Sequence, residues 1–263
     1  MQKKKSMNLN KDNIKILLCC HKPSTLPPDP DGIFLPIQVG AAISDTDLGM
    51  QRDDQLNGQP CDNISEKNKS YCELTAMYWA WKNIKKLYPN LEYIGLNHYR
   101  RLFFSQIRIP KGKIVVPFLE YYPFSVERQY KILHYSDDFD KLEDVVHCLT
   151  PDYVDSFNSK LKNGNKSTVF NMFIMPVSVF EKYCEWLFSI LSTCEKAINI
   201  SEYPDYQRRV FGFMAERLLF VFISKNKYPI KQVPVHTYEV QECSKLHRLI
   251  NKVRYSFAYI ISS

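Results

Sequence analysis

Glycine is scarce in this sequence. There are eight in 263 residues, and no two lie closer together than Gly32 and Gly40. That spacing leaves no G-x-G-x-x-G after a first strand and no G-x-x-x-x-G-K-[ST], so Rossmann dinucleotide and P-loop readings fall away. Long apolar runs are missing too. The longest candidate, LLFVFI at 218–223, is far short of the roughly 18 residues that a membrane span needs. The basic start MQKKK leads into SMNLNKDN rather than an apolar stretch, so no signal peptide is read and a cytoplasmic location is the expectation. The eight cysteines (19, 20, 61, 72, 148, 184, 194 and 243) include no C-x-x-C pair. A disulfide framework or zinc site is therefore not expected, and reduced, mostly packed thiols are.

What is present is a folded composition, 45% hydrophobic, with a net charge of +7 placed at its ends. Residues 1–11 carry four lysines and no acid, and residues 242–263 carry four Lys/Arg against Glu242, while basic and acidic residues balance in the body between them. Such a neutral body is not a nucleic-acid surface. In the C-terminal stretch Leu246, Leu249, Ile250, Val253, Phe257 and Ile260 recur near helical spacing among Lys245, Arg248, Lys252 and Arg254. A basic amphipathic helix of this kind can rest on an anionic membrane surface, or pack on the body with its charged face in water. The domain reading is a basic extension (1–13), one α/β domain (14–241) with an acceptor-side insertion (118–165), and a basic amphipathic segment (242–263).

Strands are expected at IKILLCC (14–20), YIGLN (93–97), KIVVP (113–117), STVFNMFIMP (167–176) and within YPIKQVPVHTYEV. Two S-x-x-E patterns, Ser70/Glu73 and Ser178/Glu181, predict capped helices, and a further helix is read over about 205–225. Residues 45–63 read as loop, and 118–165 as helices and loops rich in aromatics. Strands alternating with helices imply a mostly parallel α/β sheet flanked by helices.

Ligands of such sheets bind outside the carboxyl ends of the strands. That rule singles out His21 and Lys22 after the first strand, the cluster Asn97, His98, Tyr99, Arg100, Arg101 after the second, and Asn171. Guanidinium forks suit phosphate oxygens, and the loop with Asp62, Asn63 and Lys69 leads to a helix N-terminus that attracts anions. A structural ion-pair network with Asp53, Asp54 or Asp62 is the alternative for the arginines. Asp45 and Asp47 could hold a divalent cation, manganese or magnesium, between phosphates, although no cofactor is firmly implied. Asp29/Asp31 and Asp137/Asp138/Asp140 resemble that pair only by composition. Arg209, Gly212 and Glu216 share one helix stripe where something could approach the backbone closely, and Glu216 is the expected general base because its helix is otherwise strongly apolar; an ion pair within the helix or between elements, with Arg217 also available, is the alternative. His134, with Tyr121, Tyr122, Tyr130 and Tyr135 crowded in the same region, is read as lining an acceptor-sugar site, with a packed satellite core as the alternative for the aromatics.

The order CCHKP, IQVGAAIS, DNISEKNKSYCELTAMYWAWKN, YIGLNHYRR, NMFIMP, WLFSIL and QRRVFGFMAERLL closely resembles a bacterial family of glycosyltransferases. The family was long catalogued as a domain of unknown function and is found in capsule, exopolysaccharide and O-antigen clusters. The resemblance spans about residues 14–235, and Leu102 departs from the aromatic that the family more often has there. It implies a GT-A-like transferase using a UDP-sugar donor, with characterised relatives transferring galactofuranose. It also implies a lipid-linked oligosaccharide acceptor, reached by peripheral contact with the inner leaflet. Arg100 and Arg101 would then face the donor diphosphate where many GT-A enzymes carry a metal site, with His98 as a hydrogen-bond donor. Metal independence is an inference from these residues rather than a family property. A sugar-phosphate transferase and a non-catalytic glycan-binding scaffold are the rival readings.

Overall fold

The run Ile14–Cys20 is buried at every position, as a strand covered on both faces must be, and its single charge is accommodated locally. Lys15 donates to the Gly32 carbonyl at 2.7 Å and lies over the Tyr88 ring. In the computed structural model, which describes residues 12–103 and 109–237, this run is β1 of a nine-stranded sheet. The others, in chain order, are β2 (Phe34–Gln38), β3 (Gln51–Arg52), β4 (Tyr93–His98), β5 (Arg101–Leu102), β6 (Ile114–Pro117), β7 (Phe173–Pro176), β8 (Ile230–Val233) and β9 (His236–Thr237). The main path runs β8-β6-β7-β4-β1-β2-β3, with β5 and β9 paired beyond the end of β4. All neighbours on that path are parallel except β7, which is antiparallel to both β4 and β6. Gly95 in β4 is required by that packing, since a Cβ there would lie 2.9 Å from the Ile174 side chain and 3.0 Å from the Phe173 carbonyl.

The helices are α1 (Asn68–Tyr71), α2 (Leu74–Leu87), α3 (Val126–Leu133), α4 (Ser136–Leu149), α5 (Val154–Phe157), α6 (Val177–Ala197) and α7 (Val210–Lys225). Their buried apolar residues form one core with Leu17, Cys19, Ile94, Leu96, Phe173 and Met175 of the sheet. Ile14, Ile16, Val115 and Ile174 point to the other face, where they meet Ile33, Phe103 and Ile109 from outside the helices. Among the described residues no helix is long and apolar enough to cross a membrane. The expected basic ends fall, apart from residues 12 and 13, outside the described residues.

Three local expectations are corrected. Neither S-x-x-E pattern forms a capping box. Ser70 lies inside α1 and its hydroxyl donates to the Lys67 carbonyl, while α2 starts only at Leu74 with no side-chain cap. Likewise α6 starts at Val177 directly after Pro176, and Glu181 pairs with Lys85 instead. Residues 45–63 are not all loop. They hold β3 and a hairpin, Gln55–Leu56 with Gln59–Pro60, turned by Asn57 and Gly58 at φ 52° and 74°. The stretch 118–165 carries α3, α4 and α5, and its two ends meet where Glu120–Tyr121 pairs antiparallel with Lys166–Ser167.

Candidate functional site

β1 and β4 are parallel neighbours, β2 lies on the far side of β1, and the crevice beyond their carboxyl ends is a topological switch point. A cavity of about 590 Å³ opens there, a size suited to a small ligand. One wall is made by residues at and just after the strand ends, Cys19, His21, Val39 and His98 through Arg101. Phe170, on the approach to the antiparallel β7, joins them at the same edge. The rest of the lining comes from the junction of α1 and α2, with Asn68, Lys69, Cys72 and Glu73, from Asp205, Arg208 and Arg209 just before α7, and from Glu216 within it.

Five cationic side chains line this cavity against three carboxylates. Among the described residues no carboxylate lies within ion-pair distance of Arg100, Arg101 or Arg209. Arg100 instead stacks on Tyr99 at 4.8 Å and Arg101 on Phe170 at 4.4 Å. The alternative of a structural ion-pair network is overturned, because its acids are engaged elsewhere. Asp53 accepts from the Gly40 and Ala41 amides, Asp54 is bound by Arg52, and Asp62 accepts from the Tyr78 hydroxyl. Burial and the neighbouring Lys22, Arg100 and Arg209 charges lower the His21 pKa, so its imidazole adds no cation at neutral pH. Two unpaired guanidinium groups beside a cavity form a ready anion site.

Three residues with left-handed φ shape the rest. Cys72 (φ 53°, ψ −131°) breaks the chain between α1 and α2 and brings Glu73 to the cavity wall. Asn171 (φ 52°) uses its amide to bridge Glu73 Oε1 at 2.6 Å and the Gly212 carbonyl at 3.1 Å. Phe170 (φ 68°) donates its backbone N–H to Glu216 Oε1 at 3.1 Å, and its carbonyl lies 2.6 Å from His98 Nε2. A carbonyl only accepts, so that ring nitrogen carries the proton. Such backbone strain concentrates where the surrounding structure holds a site in place.

Glu216 Oε2 accepts from Arg217 Nη1 at 2.8 Å, so both its oxygens are engaged. Burial raises its pKa, against the opposing charge of Arg217. Arg217 itself is buried and also holds the Phe213 carbonyl and Gln129 Oε1. What approaches Gly212 is Cys72, whose sulfur would lie 3.3 Å from a Cβ placed there. Arg209 Nε donates to that sulfur at 3.2 Å. Burial and Glu73 push the Cys72 thiol up to about 12, so it accepts this bond as a neutral thiol.

Of the residues expected from sequence, His21, Lys69, His98, Tyr99, Arg100, Arg101, Arg209 and Glu216 line the cavity. The others do not. Lys22 is exposed beside the Tyr99 ring. Asn63 folds back on the Cys61 carbonyl, and Asp62 is engaged by Tyr78. The helix that follows this loop, α1, has four residues, too few to offer an anion-binding N-terminus. Asn97 is fully buried beneath the site, where its carbonyl oxygen accepts from the Phe103 amide. Asn171 is buried behind Glu73. Asp47 caps the Gly49 amide, Asp29 the amides of Ile33 and Phe34, and Asp138 accepts from the Tyr203 hydroxyl.

His134 packs into the core instead of lining an acceptor site, stacked on Phe213 at 4.0 Å and bonded through Nδ1 to Gln207. Burial, then the charges of Arg217 and Arg209, lower its pKa to about 4. The unfolded chain takes up this proton below about pH 6.5 and the folded protein only near pH 4, so stability falls as pH drops through that window. The expected loss between pH 7 and pH 5 is about 2 kcal/mol. Denaturant midpoints at pH 7 and pH 5 should separate more for the parent than for His134→Phe, which keeps the stacking and cannot be protonated.

Sequence reading passed over Asn68, Cys72, Glu73, Phe170, Asp205 and Arg208. Only the Arg208–Arg209 doublet, a match for Arg100–Arg101, was a visible signal for any of them.

The family model described as Domain of unknown function (DUF4422) matches the chain over residues 15–115 and 105–227. No curated protein matches it. Among solved structures, the chain is similar to the apo structure of the WbbM bifunctional glycosyltransferase, with 27% sequence identity and a TM-score of 0.76. The likeness covers 87% of this chain and 46% of that one, so the chain spans less than half of that enzyme's length.

Proposed function

Because the chain belongs to the family described as Domain of unknown function (DUF4422) and shares its fold with a glycosyltransferase, we propose that it transfers a sugar from a UDP-sugar donor to a growing capsular, exopolysaccharide or O-antigen oligosaccharide. Galactofuranose is the sugar that the family resemblance implies. The observation that carries this reading is the pair Arg100 and Arg101, free of carboxylates and facing a cavity at the sheet's switch point.

In this reading the donor diphosphate lies against Arg100 and Arg101, with Lys69, Arg208 and Arg209 also lining the cavity. Glycosyl transfer leaves negative charge on the departing diphosphate. Cations fixed before the reaction stabilise that charge without reorganising as it forms. The His98 N–H is engaged by Phe170, so His98 acts by holding the strand end and the Phe170 turn together.

In this reading the arginines neutralise the diphosphate charge, and a divalent cation held by one or two carboxylates together with the donor phosphates would share the task. Among the described residues, the group of three candidate metal ligands, Glu127, Asp140 and Glu143, lies away from the cavity, and its carboxylates pair with Lys131 and Lys162. The acceptor in this reading is a lipid-linked oligosaccharide, reached by peripheral contact of the basic chain ends with an anionic leaflet.

A thermal-shift titration with UDP and UDP-sugars, in EDTA and in manganese, tests the proposal. The expected result is stabilisation that grows with ligand concentration by mass action and persists in EDTA. A shift seen only with manganese would move the diphosphate site towards Asp45 and Asp47. No shift with any nucleotide would sink the donor reading. Release of UMP rather than UDP during turnover would favour a sugar-phosphate transferase.

A further inference from the structure

We infer that Glu73 is the general base that takes the proton of the acceptor hydroxyl, a deepening that rests on the glycosyltransferase reading above. A base needs a carboxylate oxygen that substrate can reach and that nothing else occupies. Three carboxylates line the cavity, and two fail this requirement. Asp205 is fully exposed, 3.7 Å from Arg208, and has no other partner among the described residues. Glu216 has one oxygen on the Phe170 amide and the other on Arg217. Proton uptake there would leave the buried Arg217 guanidinium without its carboxylate partner.

Glu73 differs in both respects. Its Oε1 is fixed by the Asn171 amide at 2.6 Å, while Oε2 has no hydrogen-bond partner among the described residues. The residue is 9% exposed and belongs to the cavity wall. Electrostatically it acts on Arg101, Arg209 and Cys19, which line the cavity around it. Its placement depends on Cys72 and Asn171, both in left-handed φ, and Asn171 is tied in turn to the Gly212 carbonyl of α7. The fold thus aims one carboxylate with one oxygen held and one left open. Asn171 is its positioning residue.

The step balances without a further reagent. The acceptor oxygen forms a bond to the anomeric carbon as the bond from that carbon to the diphosphate oxygen breaks. The bonding pair leaves with UDP, and the acceptor proton passes to Glu73 Oε2. Glu73 then returns the proton to solvent.

The test compares Glu73→Gln and Glu216→Gln with the parent in two assays. One is calorimetric binding of UDP. The other is UDP release from UDP-galactofuranose and UDP-galactose with octyl β-galactopyranoside as acceptor. Glutamine retains the oxygen that accepts from Asn171, so Glu73→Gln should bind UDP within about threefold of the parent and turn over at least about 100-fold more slowly. Glu73→Ala in sodium azide should recover UDP release and form glycosyl azide, because azide is an anionic nucleophile with no proton to lose. Should the glutamine variant not fold, Glu73→Asp, which keeps the charge but withdraws it, should bind UDP and show the same direction of loss.

Parental turnover by Glu73→Gln would overturn the assignment, as would parallel loss of UDP binding and turnover without azide recovery. Loss confined to Glu216→Gln would move the base to that residue. A parent that neither binds UDP nor releases it from either donor would remove the UDP-sugar reading on which the assignment rests, an outcome distinct from each of these.

Discussion

Alanine at both Arg100 and Arg101 should lower UDP affinity by about two to four orders of magnitude, on the basis of roughly 1.5–3 kcal/mol for each charged hydrogen-bonding group lost. The unfolding temperature should move by only about 2 °C. The two effects separate because the arginines are exposed, lack carboxylate partners among the described residues, and contact the protein chiefly through the faces of Tyr99 and Phe170. Removing them deletes cation–π contacts at the surface and leaves the β4 ladder intact. Each single variant should show an intermediate loss, and Arg→Lys should recover only part of it, since an ammonium cannot present a planar fork. Calorimetry with UDP and a thermal melt of the same samples decide the matter. A large fall in melting temperature with UDP binding preserved would make the pair structural.

Asp53→Ala should act in the opposite sense, costing about 3–5 kcal/mol of folding stability. Asp53 is completely buried, and its carboxylate accepts from the Gly40 amide at 2.8 Å, the Ala41 amide at 3.0 Å and the Ser65 hydroxyl. Alanine leaves those donors buried without an acceptor, which is the costly half of breaking a hydrogen bond. Gly40 sits at φ 66°, and a Cβ there would lie 2.8 Å from the Asn68 side chain, so the turn Asp53 holds is pressed against α1. Val39 and Asn68 both line the cavity, and loosening this turn should also weaken UDP binding. Urea midpoints at pH 7 for Asp53→Ala and Asp53→Asn would show it, with the asparagine variant losing less. A midpoint close to the parent's for the alanine variant would refute the account.

The strands were readable because short, continuous apolar runs have few other uses in a chain of this composition. IKILLCC and YIGLNH became the two central parallel strands, and of the polar residues after them His21, Tyr99, Arg100 and Arg101, though not Lys22, came to the cavity, as the carboxyl-end rule leads one to expect. What sequence could not reveal was the direction of β7, which brings Phe170 to the same edge as Arg101. Nor could it reveal the break at Cys72. The S-x-x-E pattern at 70–73 satisfies the chemistry of a helix cap, yet the chain spends Ser70 on a carbonyl and leaves Glu73 uncommitted to backbone. A non-glycine residue with positive φ leaves no compositional trace, so the three that shape this site were invisible before the backbone was seen. The Arg209–Gly212–Glu216 stripe shows the same limit. Its spacing correctly placed three residues on one helix face, but the body that approaches the glycine is the chain's own Cys72.

The two-stranded ribbon that joins Glu120–Tyr121 to Lys166–Ser167 acts as a clasp. It holds the beginning and end of a helical excursion about one strand spacing apart, close to 5 Å, while the sheet resumes at β7 a few residues later. The clasp does not isolate what lies between its jaws, because Phe139, Leu142 and Phe157 join the core that the sheet shares and Gln129 accepts from the buried Arg217. A chimera that exchanges the excursion at the clasp therefore keeps its shape only if the incoming piece brings its own apolar face and a partner for Arg217.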